Sequence, residues 1–553
     1  MNLDISNRWR ELTQKEAWPS LLKEAAFKWP DKEALVFKDE RVSFREYREK
    51  TSQVAKGLFA AGVRPGDHVG LWMTNRPEWC YSRFGINQLG AVMIPLNTRY
   101  RTEELNYVLN QSDAKALIME SKFLGQIDAM GLLKELCPEL GNSPPGELNL
   151  AKFPLLKVVI VLDGEEPGCF GWEEVLRLGE GVHDQEIEIE TRPDDLIHVI
   201  YTSGTTGFPK GVMTSNSNNI AFSATSAEAF SLREEDRFLC LPPFFGNMGI
   251  WGVNICLMAG ATAVMTSRFR PLDTLMLLEK EKITHTMFVA TMLIDILAHP
   301  YFGKYNLGSL KHIVCGGAVV SSKLIRDAKE KIGAEVYNGY GLVEASGLSS
   351  WTPAGDTPEH IEKTIGLPLA HNEMTIRDPL TNQELPIGKE GDICMKEVFP
   401  GSCHMKGYYK KPELTTETIR DGWLHSGDLG VKDSDGYFRI TGRVKEMFTV
   451  GGFNVSPPEI EETLRKHSKV KDAAVVGVPD ERLGEVGAAY LILKLDETAT
   501  EEEIVNYCKK CMADIKTPRY VFFVQDFPLN PQGKVQKFKL KEEFIKERCL
   551  EKG

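Results

Sequence analysis

Residues 201–212 read Tyr201-Thr202-Ser203-Gly204-Thr205-Thr206-Gly207-Phe208-Pro209-Lys210-Gly211-Val212. Three glycines, Gly204, Gly207 and Gly211, free the backbone to turn sharply and approach a ligand closely. Thr202, Ser203, Thr205 and Thr206 bring four hydroxyls, and Lys210 brings a positive charge. Successive N–H groups in such a loop form a concave anion site. Just upstream, Leu196-Ile197-His198-Val199-Ile200-Tyr201 is a short apolar run that reads as a buried strand. A strand feeding a Gly/Ser/Thr/Lys loop is one way to hold phosphates. The Walker spacing is absent, because Pro209 stands five after Gly204 and Lys210 is followed by Gly211. That points away from a P-loop NTPase.

The surrounding chain bounds what such a loop serves. Its 553 residues suggest several domains or subdomains. Hydrophobic residues make up 42% and charged residues 26%, an ordinary globular balance. The net charge of −12 argues against a nucleic-acid partner, which would need a basic face. Met1 to Ser20 is polar and does not read as a signal peptide. The eleven cysteines are scattered, which suits a reducing cytoplasm. Cys508 and Cys511 form one CxxC with no second pair, so helix-face spacing explains them better than zinc. No charge occurs from Phe238 to Ser267, a length that could span a bilayer. Pro242, Pro243, Gly246, Gly249, Gly252 and Gly260 interrupt it, so it reads as strand, turn, buried helix and strand rather than a transmembrane segment.

Alternating helix and strand patterns run from about residue 20 to 110 and again from Leu196 to about Tyr340. They predict βαβ units and mostly parallel sheets. Gly366 to Ile440 is rich in glycine, proline and short strand-like runs, and predicts a smaller β-rich unit. Beyond Arg443, a helix at Glu459–His467, strands at Ala473–Val478 and Ala488–Leu495, and a helix at Glu501–Met512 predict a compact α+β unit. The expected fold class is therefore α/β: a large N-terminal domain with βαβ-type sheets and a β-rich subdomain, then a small C-terminal α+β domain.

Three further signals follow the loop in order. In Tyr337-Asn338-Gly339-Tyr340-Gly341-Leu342-Val343-Glu344, an aromatic face can stack on a purine, and Glu344 is the hard oxygen ligand Mg²⁺ favours. In Gly422-Trp423-Leu424-His425-Ser426-Gly427-Asp428-Leu429, the Asp428 carboxylate can accept both hydroxyls of a ribose, and Arg443 follows in Gly442-Arg443-Val444-Lys445-Glu446. Pro531-Gln532-Gly533-Lys534 carries a lysine on a glycine loop. Taken singly, each of these charges reads as a solvated surface group.

Together, and in this order, the four motifs resemble those of the adenylate-forming superfamily, in particular its acyl-CoA synthetase branch. The resemblance covers nearly the whole chain. It implies an N-terminal adenylating domain (1–442), a hinge (443–446) with Lys445 near the pivot, and a mobile C-terminal lid domain (447–553). It implies that Thr202, Ser203, Gly204, Thr205, Thr206, Gly207 and Lys210 hold the β- and γ-phosphates of ATP. Gly317, Ala318, Asn338, Gly339, Tyr340 and Gly341 complete the nucleotide site, with Asp428 and Arg443 at the ribose. Glu344 would hold Mg²⁺, and Lys534 would be the catalytic lysine. Gly451, Gly452 and Phe453 would lie near the thiol of CoA. Leu241-Pro242-Pro243-Phe244-Phe245-Gly246-Asn247-Met248-Gly249 resembles the acid-pocket motif, so Phe244, Phe245, Asn247, Met248 and Gly316 are the expected pocket residues.

Two residues depart from the family pattern. Val343 stands where threonine is usual, which removes a hydroxyl from the α-phosphate. Phe245 stands where many acyl-CoA synthetases have histidine, which suggests a hydrophobic acyl or aryl group. Amino-acid-activating relatives place an aspartate in this region, and none occurs between Phe238 and Ser267. A buried ammonium without a partner is costly, which disfavours an amino-acid substrate.

The implied activity is ATP-dependent synthesis of an acyl-CoA through an acyl-adenylate. Loading of a carrier-protein phosphopantetheine is the alternative, and a non-enzymatic nucleotide-binding relative or a luciferase-like oxygenase comes behind it.

Overall fold

The computed structural model describes residues 5–125, 127–202, 209–316, 320–450, 453–455, 457–480, 483–512, 516–529 and 535–551. The chain divides into two compact units, residues 1–374 with 395–424, and residues 375–394 with 425–553.

The larger unit is built on two sheets. The first runs Gly407–Tyr408, Lys210–Ser215, Leu196–Thr202, Val92–Pro95, His68–Trp72, Ala114–Met119, Val158–Val161, Phe170–Gly171 in spatial order. All its neighbours from Leu196–Thr202 onward are parallel, while Lys210–Ser215 and Gly407–Tyr408 are antiparallel additions. The second sheet has nine strands. Its parallel centre is Glu335–Leu342, His312–Gly316, His285–Phe288, Arg237–Cys240, Thr262–Met265 and Glu33–Phe37. Crossover helices join the strands of both sheets, as the alternating sequence pattern requires.

One core holds much of this unit together, with Trp18, Trp79, Phe84, Phe222, Phe230, Phe238 and Trp251 at its centre. Truncating one such ring to alanine typically costs about 3–5 kcal/mol. Helices Pro77–Gln88, Asn216–Ala229 and Asn247–Ala259 are buried on nearly every face. This explains the charge-free run. Arg237–Cys240 is a strand, Asn247–Ala259 a helix ended by Gly260 in the left-handed region (φ 69°), and Thr262–Met265 a strand. No helix among the described residues is long and apolar enough to cross a membrane. At Ser43, the side-chain hydroxyl accepts the Glu46 N–H, and the Glu46 carboxylate accepts the Ser43 N–H. This capping box starts Phe44–Ala60.

In the smaller unit, Phe438–Arg443 pairs antiparallel with Trp423–Lys432, with a bulge between Leu429 and Gly430. A second sheet runs Phe453–Val455, Phe448–Val450, Gly484–Leu493, Val470–Asp480, with Tyr520–Phe523 parallel to Gly484–Leu493. The first long strand extends beyond the 473–478 span expected, and the second starts four residues before the 488–495 span and ends two short of it, because the two form one continuous hairpin ladder. Ile460, Leu464, Ile504 and Cys508 from helices Pro457–Arg465 and Glu501–Cys511 cover one face. Leu540 and Phe544 of helix Lys537–Glu551 join a second core with Tyr490. Cys508 is thus a core residue, and Cys511, three positions on, is exposed.

Candidate active site

Strand Leu196–Thr202 is apolar on both faces. Ile197 and Ile200 enter the central core, and Val199 and Tyr201 enter the core on the other side of the sheet. The chain then returns as Lys210–Ser215, with Thr202 opposite Lys210. Ser203, Gly204, Thr205, Thr206 and Gly207 lie outside the described residues.

The charged ends of two distant motifs meet at one phenol. The short strand Gly407–Tyr408 adds to Lys210–Ser215, with Val212 opposite Tyr408. Tyr409 N–H donates to the Gly211 carbonyl at 2.8 Å, and Met405 N–H to the Glu344 carbonyl at 2.9 Å. This main-chain splice sets the Lys210 ammonium 5.3 Å from the centre of the Tyr408 ring. It also lets the Tyr408 hydroxyl donate to Glu344 Oε1 at 2.8 Å. Burial first, and then the Glu344 carboxylate, push the phenol's pKa up, so it stays protonated and remains the donor.

Glu344 is placed by the strand Glu335–Leu342. The glycines of that strand are required by close packing. A side chain at Gly341 would collide with the Gly347 carbonyl, and one at Gly339 would meet Leu348 at 2.8 Å. The ladder shifts register between Tyr340 and Gly341. Asn338 is mostly buried; its N–H donates to Thr352 Oγ1 at 2.8 Å, and its amide Nδ2 to the Thr364 carbonyl at 2.8 Å. Tyr340 is half-buried, and Val343 packs against the central core.

The expected pocket residues divide into two kinds. Gly316 lies opposite Gly339 in the ladder. A Cβ at Gly316 would stand 3.3 Å from the Met287 Cε and 3.9 Å from the Met248 Cε, so two thioether side chains converge on this glycine. Phe245 and Met248 are half-buried, whereas Asn247 is buried and its amide has no partner among the described residues. Phe244 is a core residue. It packs on Trp79 at 5.2 Å, and its N–H donates to Asn75 Oδ1 at 2.8 Å. Gly317 and Ala318 are outside the described residues.

In the smaller unit, Asp428 and Arg443 are ladder partners, and Arg443 Nε lies 2.7 Å from Asp428 Oδ1. The turn before Asp428 is held by Asp392. Its Oδ1 accepts the Gly427 N–H at 3.1 Å and faces the Ser426 hydroxyl at 3.3 Å. Ser426 Oγ in turn accepts the Asp428 N–H at 3.0 Å. Asp392 Oδ2 faces His425 Nδ1 at 2.8 Å, Cys394 Sγ lies 3.3 Å from the same nitrogen, and His425 Nε2 faces Asn382 Oδ1 at 3.0 Å. Lys445 sits in the one-turn helix Val444–Glu446, whose Glu446 carboxylate accepts from Lys537 Nζ at 2.7 Å. Phe453 begins the strand Phe453–Val455. Gly451, Gly452 and Lys534 lie outside the described residues.

Residues 22–409 match the model of the AMP-binding enzyme family, and residues 459–534 that of the AMP-binding enzyme C-terminal domain. The chain belongs to the AMP-binding enzyme family. A Bacillus subtilis (strain 168) protein named as an acyl-CoA synthetase, YngI, is 39% identical over 95% of this chain and 96% of its own length. The medium-chain acyl-CoA ligase ACSF2 of Danio rerio, a mitochondrial protein, is 35% identical over 95% of this chain and 87% of its own. A Mycobacterium tuberculosis fatty acyl CoA synthetase superposes with a TM-score of 0.79 at 26% identity, over 96% of this chain and 98% of the other. This AMP-binding enzyme thus falls in the acyl-CoA synthetase branch. It is an AMP-forming acid–CoA ligase that uses ATP and proceeds through an acyl-adenylate.

Two features of the ligase had no signal in its motifs. Tyr408 lies 64 residues from Glu344, and only sheet pairing brings them together. Asp392 lies 35 residues before Gly427, in an unremarkable Gly-Asp-Ile-Cys run. His425 and Ser426 lie inside the Gly422–Leu429 motif, where nothing local shows the part they play.

Proposed function

We propose that the ligase activates a hydrophobic carboxylic acid, fatty or aryl, and that the residues above divide the work as follows. The observation that carries the nucleotide reading is the approach of Lys210 and Glu344 to the Tyr408 phenol. An ammonium and a carboxylate held on one ring suit a site that must manage phosphate charge. Thr202 to Lys210 would hold the phosphates that leave as pyrophosphate. Asp428 and Arg443 would hold the ribose. Glu344 offers the hard oxygen that Mg²⁺ prefers, and the ion bound there would neutralise phosphate charge.

The acid's carboxylate oxygen attacks the α-phosphorus. The new P–O bond forms as the bond to pyrophosphate breaks. Two anions must be brought into line for this, so fixed cations and positioning supply most of the help. Lys534 is assigned to that neutralisation. The thiol of CoA then attacks the acyl carbonyl, and the C–O bond to AMP breaks. Gly451, Gly452 and Phe453 are assigned to the thiol side, and Lys445 to a hinge at 443–446 between 1–442 and 447–553.

The convergence of Met248 and Met287 on Gly316, with no charge on helix Asn247–Ala259, supports an apolar acid. Methionine is flexible and polarizable, and suits a pocket that adapts to its occupant. The test is AMP and pyrophosphate release across a panel of short, medium, long-chain and aryl acids, with and without CoA. Turnover that needs both CoA and an apolar acid is expected. Acid-dependent pyrophosphate release without CoA stimulation would move the acceptor to a carrier protein, and a preference for amino acids would overturn the pocket reading.

A further inference from the structure

Arg83, on helix Pro77–Gln88, is wholly buried. Its guanidinium lies over Trp18 and Phe84, 5.3 and 4.9 Å from the ring centres. Nη1 donates to Asn254 Oδ1, but Nε and Nη2 find no acceptor among the described residues. No carboxylate among the described residues acts on it; the ionisable groups that do are Tyr47 and Cys80. Both are held neutral by burial, which pushes the Cys80 thiol up to about 12 and the Tyr47 phenol well above its usual range.

The polar groups around Arg83 add donors and no negative charge. Asn254 Nδ2 donates to Asn219 Oδ1 at 2.9 Å and faces Ser223 Oγ at 3.2 Å, while Asn219 Nδ2 is itself unpartnered. His198 is completely buried, with neither ring nitrogen hydrogen-bonded among the described residues. Burial, and then the charge of Arg83, lower its pKa to about 3, so it is neutral and keeps one N–H to give. A single uncompensated charge in a dry interior costs several kcal/mol, and a neutral water would leave that charge unbalanced. These residues come from three helices and a strand of the larger unit, Pro77–Gln88, Asn216–Ala229, Asn247–Ala259 and Leu196–Thr202.

We propose that Arg83, His198 and Asn219 form an interior binding site for a small monovalent anion, held chiefly by Arg83 Nε and Nη2 and completed by the His198 and Asn219 N–H donors, with Asn254 Oδ1 fixing the guanidinium through Nη1. Arg83, His198, Asn219 and Asn254 are all 0% exposed, so an ion held there is small and an acyl tail is excluded. The anion lies outside the assigned nucleotide and acid groups. It would tie the strand that precedes the Ser203–Lys210 loop to the helix that carries Asn247 and Met248.

The test uses bromide as the probe. The full-length protein is purified and crystallised in bromide, and diffraction is collected at the bromine edge. An anomalous peak against Arg83 Nε and Nη2 is expected. A peak-free site, or a guanidinium satisfied by carbonyl oxygens, overturns the proposal. In solution, bromide should raise Tm by about 3 °C or more over gluconate at equal ionic strength. Arg83→Met should abolish that difference, and an equal shift in both proteins would sink the site. If Arg83→Met does not fold, the wild-type diffraction decides alone.

Discussion

In the cluster around Asp392, the carboxylate, the His425 imidazole and the Ser426 hydroxyl all face hydrogen-bonding partners at 2.8–3.3 Å. In the cluster around Arg83, among the described residues, a buried cation has one acceptor and a buried imidazole has none. Both clusters bury ionisable groups, yet they answer the desolvation cost differently. The first closes its polar groups on one another and so fixes the turn that presents Asp428. The second leaves donors with no partner among the described residues, which is what the proposed anion would satisfy. Polar burial positions a neighbour when it is satisfied, and binds something when it is not.

That contrast can be broken by experiment. Asp392→Ala strips the acceptor from Gly427, Ser426 and His425 at once. Removing one partner of a buried charged network typically costs about 3–5 kcal/mol, so urea denaturation should show a loss of that size. Because Asp392 is a positioning residue, KM for ATP should rise more than kcat falls, and Asp392→Glu should recover part of the difference. A stability loss with unchanged KM would reduce Asp392 to a structural role.

The Arg83 side sharpens through pH. His198 has its pKa lowered from 6.5 to about 3 in the folded protein. The unfolded state therefore binds a proton first as pH falls, so its contribution to stability is complete above about pH 6.5 and is lost progressively towards pH 3. By pH 5 the loss attributable to this group is about 2 kcal/mol. In halide-free buffer, His198→Leu should remove that part of the slope between pH 7 and 5. An unchanged slope would mean that His198 is hydrated or partnered.

The smallest effect is expected at the phenol between Lys210 and Glu344. Tyr408→Phe keeps the ring under the ammonium and deletes only the donor to the carboxylate. Glu344 is half-buried, so the loss falls at the low end for a hydrogen bond to a charged group, about 1.5 kcal/mol in stability. Half-reaction assays should show about a tenfold slower adenylation, with thioester formation from supplied acyl-adenylate nearly unchanged. An equal slowing of both steps would separate Tyr408 from the phosphate chemistry.

The α/β alternation of the larger unit and several elements of the smaller one were readable because local rules carry them. The apolar run at 196–201 declares its strand within a few residues. The charge-free run from Phe238 to Ser267 was likewise resolvable, since its prolines and glycines allow a strand, a buried helix and a strand but no span. The motifs also place the reactive residue types along the chain. What they could not show is which of these residues are spent on the fold. Phe244 is used against Trp79, and the Asn338 amide on the Thr364 carbonyl, both within motifs expected to touch ligands.

The sequence by itself determined the α/β class, the branch of chemistry and the four motifs, because each rests on residue types within a short window. Tertiary structure decided the rest. Tyr408 meets Glu344 only because Gly407–Tyr408 adds to the edge of Lys210–Ser215. Asp392 reaches Gly427 from 35 positions away. Arg83 is buried among Asn254, Trp18 and Phe84 because its helix is covered on nearly every face. Burial and long-range partnership are properties of the folded neighbourhood, and no local pattern in the chain encodes them.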